Sequence, residues 1–181
     1  MGARRRPVHA SCVFRTVFLL ACAGVAALGA AISPPGRAAG AATPACATRS
    51  LVIWIDTHGD GTAGSTFFKL HFTNLSAGRC TLSGFPGVSA VDLAGHRLGS
   101  PAARDTHTRV RTVTLGPGRS ATAVLQVADT GVFTPADCGA VTAAGLRVFP
   151  PNRTRSKIVP FPFQACSRAG PTYLHVRAVT R

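Results

Sequence analysis

Phe68-Lys69-Leu70-His71-Phe72-Thr73 decides the fold: Phe68, Leu70 and Phe72 alternate with Lys69, His71 and Thr73. Successive side chains of an extended chain point to opposite faces. A period of two therefore puts large apolar groups on one face and polar ones on the other. The same reading applies on both sides of this stretch. Leu51, Ile53 and Ile55 alternate with Val52, Trp54 and Asp56. Ala123, Leu125 and Val127 alternate with Thr122, Val124 and Gln126, and Leu174, Val176 and Ala178 with Tyr173, His175 and Arg177. Residues 109–115 alternate Arg and Thr with Val and Leu, which predicts a strand carrying Arg109 and Arg111 on one face. Turn-forming clusters separate these runs: His58-Gly59-Asp60-Gly61, residues 74–78, residues 92–95, Gly116-Pro117-Gly118 and Pro150-Pro151-Asn152. Short strands with regular turns predict an all-β sandwich or small barrel. Pro160 and Pro162 lack backbone donors, so residues 159–163 are expected at a sheet edge or as an extended segment. Residues 136–144 are expected to form one short helix or turn.

Composition agrees. The chain has 181 residues, 46% of them hydrophobic, enough for one ordinary domain with a core and too apolar for a disordered chain. It has no Glu, one Met and only two Lys, Lys69 and Lys157. Those are the helix-favouring residues, and their scarcity argues against a mostly helical protein.

The first forty residues belong to another class. Arg4, Arg5 and Arg6 are followed by the charge-free run Thr16 to Ile32, then by Ser33-Pro34-Pro35-Gly36 and a stretch of small residues. This order is that of a secretory signal peptide. Ala39-Gly40-Ala41 fits the cleavage pattern, which predicts a leader over residues 1–41 and a single β-sandwich domain over residues 42–181. The apolar run of 17 residues sits at the bottom of the spanning range of about 17–25, and its Ala and Gly would insert weakly. Leu19-Leu20-Ala21-Cys22 resembles a lipobox, the alternative in which lipidation at Cys22 anchors the chain to a membrane. Only six apolar-run residues precede Cys22, fewer than the ~7–15 of an ordinary h-region, and the run continues beyond it. The expected location is therefore extracellular or cell-wall associated.

Cys12 and Cys22 fall in the leader, leaving Cys46, Cys80, Cys138 and Cys166. An even count in an exported domain reads as two disulfides. Of the three pairings, Cys46–Cys80 and Cys138–Cys166 join neighbouring segments of a fold built from sequential strands. No C-x-x-C occurs, so neither a redox nor a metal site is indicated.

Several segments together resemble a known family. Leu70-His71-Phe72-Thr73-Asn74 resembles an L-x-F-T-N strand end, and Cys80-Thr81-Leu82-Ser83-Gly84-Phe85-Pro86-Gly87-Val88 a central C-x-L-x-G-[YF]-P-x-V motif. Val113-Thr114-Leu115-Gly116-Pro117-Gly118 resembles L-x-P-G before a strand, and Cys138, residues 146–151 and Cys166 complete the order. Over residues 46–179 the chain is similar to the actinobacterial "domain of unknown function 4232" family. The resemblance implies an exported, immunoglobulin-like β-sandwich. It implies no activity and carries over no functional residue.

Motifs for chemistry are sparse. Asp56-x-His58-x-Asp60-Gly61 imitates the start of a calcium loop, but the twelfth position is Phe67, where a bidentate Glu is needed. The same residues serve a hairpin loop. His58, His71, His96, His107 and His175 form neither H-x-H nor H-E-x-x-H, and no metal or cofactor is predicted. G-x-S-x-G is absent, and a carboxylate pair would have to come from six Asp residues, mostly in turns. Asn74-Leu75-Ser76 and Asn152-Arg153-Thr154 match the glycosylation pattern, which carries no weight in a bacterial setting.

The basic charge is the remaining lead. The whole chain carries +14; from residue 42 onward fifteen Lys/Arg and six Asp leave +9. Arg147, Arg153, Arg155 and Lys157 cluster around Pro150-Pro151, and Arg104, Arg109 and Arg111 form a second group. Guanidinium groups hold phosphates and carboxylates through paired contacts. Outside the cell the anions are wall polymers, lipid head groups or acidic proteins; nucleic acid is not expected. The sequence thus predicts an exported envelope protein, a non-catalytic binding module with Arg147, Arg153, Arg155 and Lys157 as its candidate contacts. The alternatives are a structural or stress-related envelope protein and a hydrolase with a dispersed Asp/His site.

Overall fold

A computed structural model describes residues 42–181. Twelve strands make up almost all of its regular structure. They are β1 (Leu51–Ile55), β2 (Asp60–Thr62), β3 (Ser65–Asn74), β4 (Cys80–Ser83), β5 (Gly87–Val91), β6 (Arg97–Leu98), β7 (Ala103–Asp105), β8 (Thr112–Leu115), β9 (Ser120–Ala128), β10 (Ala140–Phe149), β11 (Lys157–Cys166) and β12 (Leu174–Arg177). One sheet has the order β1-β3-β9-β12-β7, with β2 on β3; a second has β11-β10-β5-β6; β4 and β8 form a two-stranded ribbon. All pairings between strands are antiparallel except β7 with β12.

The alternating stretches supply the core. In β3, Leu70 and Phe72 are fully buried, while β9 buries Ala121, Ala123, Leu125 and Val127 and leaves the intervening residues half-exposed. The second sheet meets them with Val88, Ala90, Leu146, Val148, Val159 and Phe161. Across the interior, Phe68 of β3 meets Phe161 of β11 edge to face at 4.8 Å. Each fully buried Leu or Phe contributes about 1.5–3 kcal/mol, so this face-to-face burial is the main source of stability. Tyr173 closes the core beside β12. Its ring is fully buried and its hydroxyl donates to the Leu98 carbonyl at 3.1 Å. The all-β sandwich is as expected.

Both disulfides have the predicted pairing, Cys46–Cys80 and Cys138–Cys166. Each closes a loop of about thirty residues, which the loop-entropy relation rates at about 3.5–4 kcal/mol.

Three local expectations need correction or refinement. Residues 109–111 precede β8 as a loop: Val110 is exposed between two arginines, so the alternation there buries nothing. Residues 136–144 divide. Pro135–Cys138 forms one helical turn capped by the Thr134 hydroxyl, Gly139 ends it at φ 57°, and β10 starts at Ala140. Residues 159–163 lie within the edge strand β11. It pairs only with β10, and Pro160 and Pro162 remove two donors from it. The pairing slips between Ala143 and Gly145, where a Cβ on Gly145 would lie 2.4 Å from the Val159 carbonyl oxygen. The proposed leader lies outside the described residues.

Candidate anion-binding cleft

The four cations singled out by their sequence clustering reach different partners. Arg147, on the outer face of β10, donates from Nη2 to the Gly95 carbonyl in the β5–β6 turn at 2.7 Å. Arg153 donates from Nε to the Cys46 carbonyl at 2.8 Å, and Lys157 from Nζ to the Leu51 carbonyl at 2.5 Å. These three heads tie distant segments together. The Arg155 side chain is exposed, and its backbone carbonyl accepts the Thr48 hydroxyl at 3.2 Å. Arg153 also lines a cleft of about 480 Å³ with Phe85, Phe149, Pro150 and Arg104, whose guanidinium lies 5.7 Å over the Phe85 ring.

Carboxylates neutralise little of the positive charge. Arg177–Asp105, at 2.9 Å, is the one ion pair of an Arg or Lys side chain among the described residues. Asp105 also accepts from His107 Nδ1 at 2.7 Å. That hydrogen bond, the one from Arg177 and the His107 backbone N–H hold its carboxyl down at about 2, from an ordinary 3.8.

A second group of exposed arginines lies elsewhere. A cleft of about 720 Å³ is lined by Arg79, Arg119 and Arg181 together with Thr43, Thr114 and Ser120, and no Asp faces it. All three arginines are exposed. The positions of Arg79 and Arg119 follow from Asn74, a buried polar residue with no exposed surface. Its amide nitrogen donates to the carbonyls of Gly78 at 2.8 Å, Leu115 at 3.2 Å and Gly116 at 3.3 Å. Its side-chain oxygen accepts the Ser76 N–H at 2.9 Å and the Ser76 hydroxyl at 2.7 Å. Its backbone joins in: the Asn74 N–H donates to the Arg119 carbonyl at 3.0 Å, and the Gly118 N–H to the Asn74 carbonyl at 2.7 Å. One side chain thus locks the β3–β4 turn to the β8–β9 turn. A buried amide with its donors and acceptor all paired specifies geometry, because each unmade bond would cost desolvation.

Arg79 is therefore held from both sides, by Gly78 on the Asn74 amide and by Cys80 in the disulfide to Cys46. Arg119 is held by its own N–H on the Gly116 carbonyl at 3.1 Å and its carbonyl on Asn74. The N-terminal segment runs beside β4 through Thr81 N–H to the Pro44 carbonyl, which brings Thr43 to the rim. Paired backbone bonds between Thr122 and Thr180 lay the last residues along β9 and bring in Arg181. Fixed backbones carrying flexible guanidinium groups, with hydroxyls between them and no competing carboxylate side chain, suit an anion.

A second cavity of about 440 Å³ shares Thr114 and Arg181 with the first and adds Arg111. Arg111 was legible as a surface cation; Arg79, Arg119 and Arg181 were not. They lie 40 or more residues apart, and only the flanking Asn74 and Gly116-Pro117-Gly118 hinted that turns meet there.

The remaining polar groups build no comparable site. Among the described residues no three His, Cys or Asp side chains gather as metal ligands. The Asp56 carboxylate accepts the His58 backbone N–H at 3.2 Å, as in a turn. His71 stacks on Trp54 at 3.8 Å with nearly parallel rings, and its Nε2 is buried without a partner. Burial lowers its pKa, against the opposing pull of Asp56.

No curated protein matches the chain. The model of a family described as "Domain of unknown function (DUF4232)" matches residues 46–180, from the first disulfide cysteine to the strand-like pairing of Thr180. That match covers all twelve strands, including Asn74, both disulfides, Arg79 and Arg119, and the chain belongs to this family.

Proposed function

We propose that the chain is an exported, non-catalytic binding module of the cell envelope that holds anionic partners in the Arg79/Arg119/Arg181 cleft. One observation carries the reading: three exposed arginines surround a single polar cleft with no Asp in its lining, in a domain with one Arg–Asp pair. The leader-like first forty residues support export, and outside the cell the abundant anions are wall polymers and lipid head groups. The cations around Pro150-Pro151 have a lesser part, because three of the four already bond backbone carbonyls.

The test is retention on purified anionic envelope material at two salt concentrations. Retention is expected to fall steeply with salt, because exposed charges are screened within about 8 Å at physiological ionic strength. It is expected to drop further in Arg79→Ala and Arg119→Ala than in Arg155→Ala. Salt-independent retention, or equal effects of all three substitutions, would sink the proposal.

A further inference from the structure

We infer that the cleft is one end of a linear groove along β8 whose ligand is a phosphate polymer contacted at several units, not a single small anion. This rests on the anion-binding reading above. The two cavities adjoin at Thr114 and Arg181, so their linings are continuous. Arg79 and Arg119 stand at one end, Arg181 in the middle and Arg111 at the other, with no Asp anywhere along the way. The floor is a strand. β8 buries Val113 and Leu115 and turns Thr112 and Thr114 outward, so two hydroxyls face the groove at alternate positions. From residue 111 to residue 116 an extended chain covers about 17 Å at ~3.3 Å per residue. That is longer than one tetrahedral anion.

The chemistry favours phosphate over carboxylate. A carboxylate presents its two oxygens in one plane, and one guanidinium satisfies it. A phosphate has acceptor oxygens pointing in several directions, which suits Arg79, Arg119 and Arg181 reaching in from three different segments of chain. A run of phosphates then places a charge opposite Arg111 as well.

The experiment measures binding of the full chain to long inorganic polyphosphate, tripolyphosphate, orthophosphate and poly-L-glutamate at 50 and 200 mM salt. With three to four charges neutralised at a slope of about −0.7 each, affinity for long polyphosphate should fall about 20–50-fold between the two concentrations. Arg111→Ala should weaken long polyphosphate and flatten its salt slope by about 0.7, yet leave tripolyphosphate unchanged. Arg79→Ala should weaken both. Val110→Ala, at the exposed neighbouring loop position, should change neither. If tripolyphosphate binds as tightly as the long polymer, or Arg111→Ala weakens the two equally, the linear groove is wrong while the cleft reading stands. If poly-L-glutamate matches polyphosphate in affinity and slope, the phosphate assignment is overturned. If no probe binds at 50 mM salt, the cleft reading itself fails and takes this inference with it.

Discussion

Replacing Asn74 by Ala removes the amide that joins the β3–β4 and β8–β9 turns. Two amide hydrogens serve the Gly78, Leu115 and Gly116 carbonyls, and the side-chain oxygen takes two donors from Ser76. Each net bond is worth about 0.5–1.5 kcal/mol. Gly78, Gly116 and Ser76 lie at least partly exposed, so water replaces some of what they lose, whereas the contact to the Leu115 carbonyl is buried. Adding the space left by a fully buried amide, the expected loss is about 3 kcal/mol. At the few degrees per kcal/mol usual for domains of this size, the melting midpoint should fall by about 10 °C. Urea unfolding with both disulfides intact, followed by the single tryptophan, Trp54, checks the value, and the slope m should not change. Asn74→Asp should be worse than Asn74→Ala at pH 7, because a carboxylate would face three carbonyl oxygens. Its folded-state pKa would be raised, so that excess penalty should shrink as pH falls through the raised value. Loss of less than about 1 kcal/mol in Asn74→Ala would refute the claim that this residue organises the cleft.

Three other expectations follow from described contacts. Without reductant, Cys46, Cys80, Cys138 and Cys166 should give no thiol titre, and Cys80→Ser or Cys166→Ser should each cost about 3.5–4 kcal/mol by urea unfolding; four free thiols would overturn the pairing. The depressed Asp105 carboxyl stabilises the fold above its ordinary 3.8, and that contribution is lost as pH falls toward about 2. Asp105→Asn should therefore lower the melting midpoint at pH 7, and the gap from wild type should close near pH 2; a gap independent of pH would refute the assignment. Burial raises the phenol of Tyr173, the single tyrosine, to about 12. Stability should therefore decline as pH rises above 10, and absorbance at 295 nm should show no native tyrosinate below about pH 11.

The sandwich was legible because two long central strands of one sheet, β3 and β9, bury one face and leave the other wet. Leu70 and Phe72 of β3 and Leu125 and Val127 of β9 show that alternation directly. β10 escaped notice because its first half is Ala, Val, Thr and Gly with little size contrast, and Gly145 is needed for close approach of β11. Residues 109–111 misled for the opposite reason: their apolar member, Val110, alternates with charge but touches no core. The candidate site was harder still. Clustering along the chain picked out Arg147, Arg153 and Lys157, but a run of cations in a strand–turn–strand segment sends its heads in different directions, here to three carbonyls. Arg79 and Arg119 become neighbours through pairing of β4 with β8 and through Asn74, Arg181 joins them through the Thr122–Thr180 bridge, and no local period encodes such long-range contacts.

The Pro-bearing strand β11 also bears on how the molecule behaves at high local concentration. A sandwich that coats a surface or a polymer brings many copies edge to edge, and an open strand is a template on which a neighbour's backbone can add. Pro160 and Pro162 deny that template two donors on β11, and Lys157 occupies the Leu51 carbonyl at the start of β1, the edge strand of the opposite sheet. Along this side, copies crowded on one ligand should stay separate folded units instead of growing into a shared sheet.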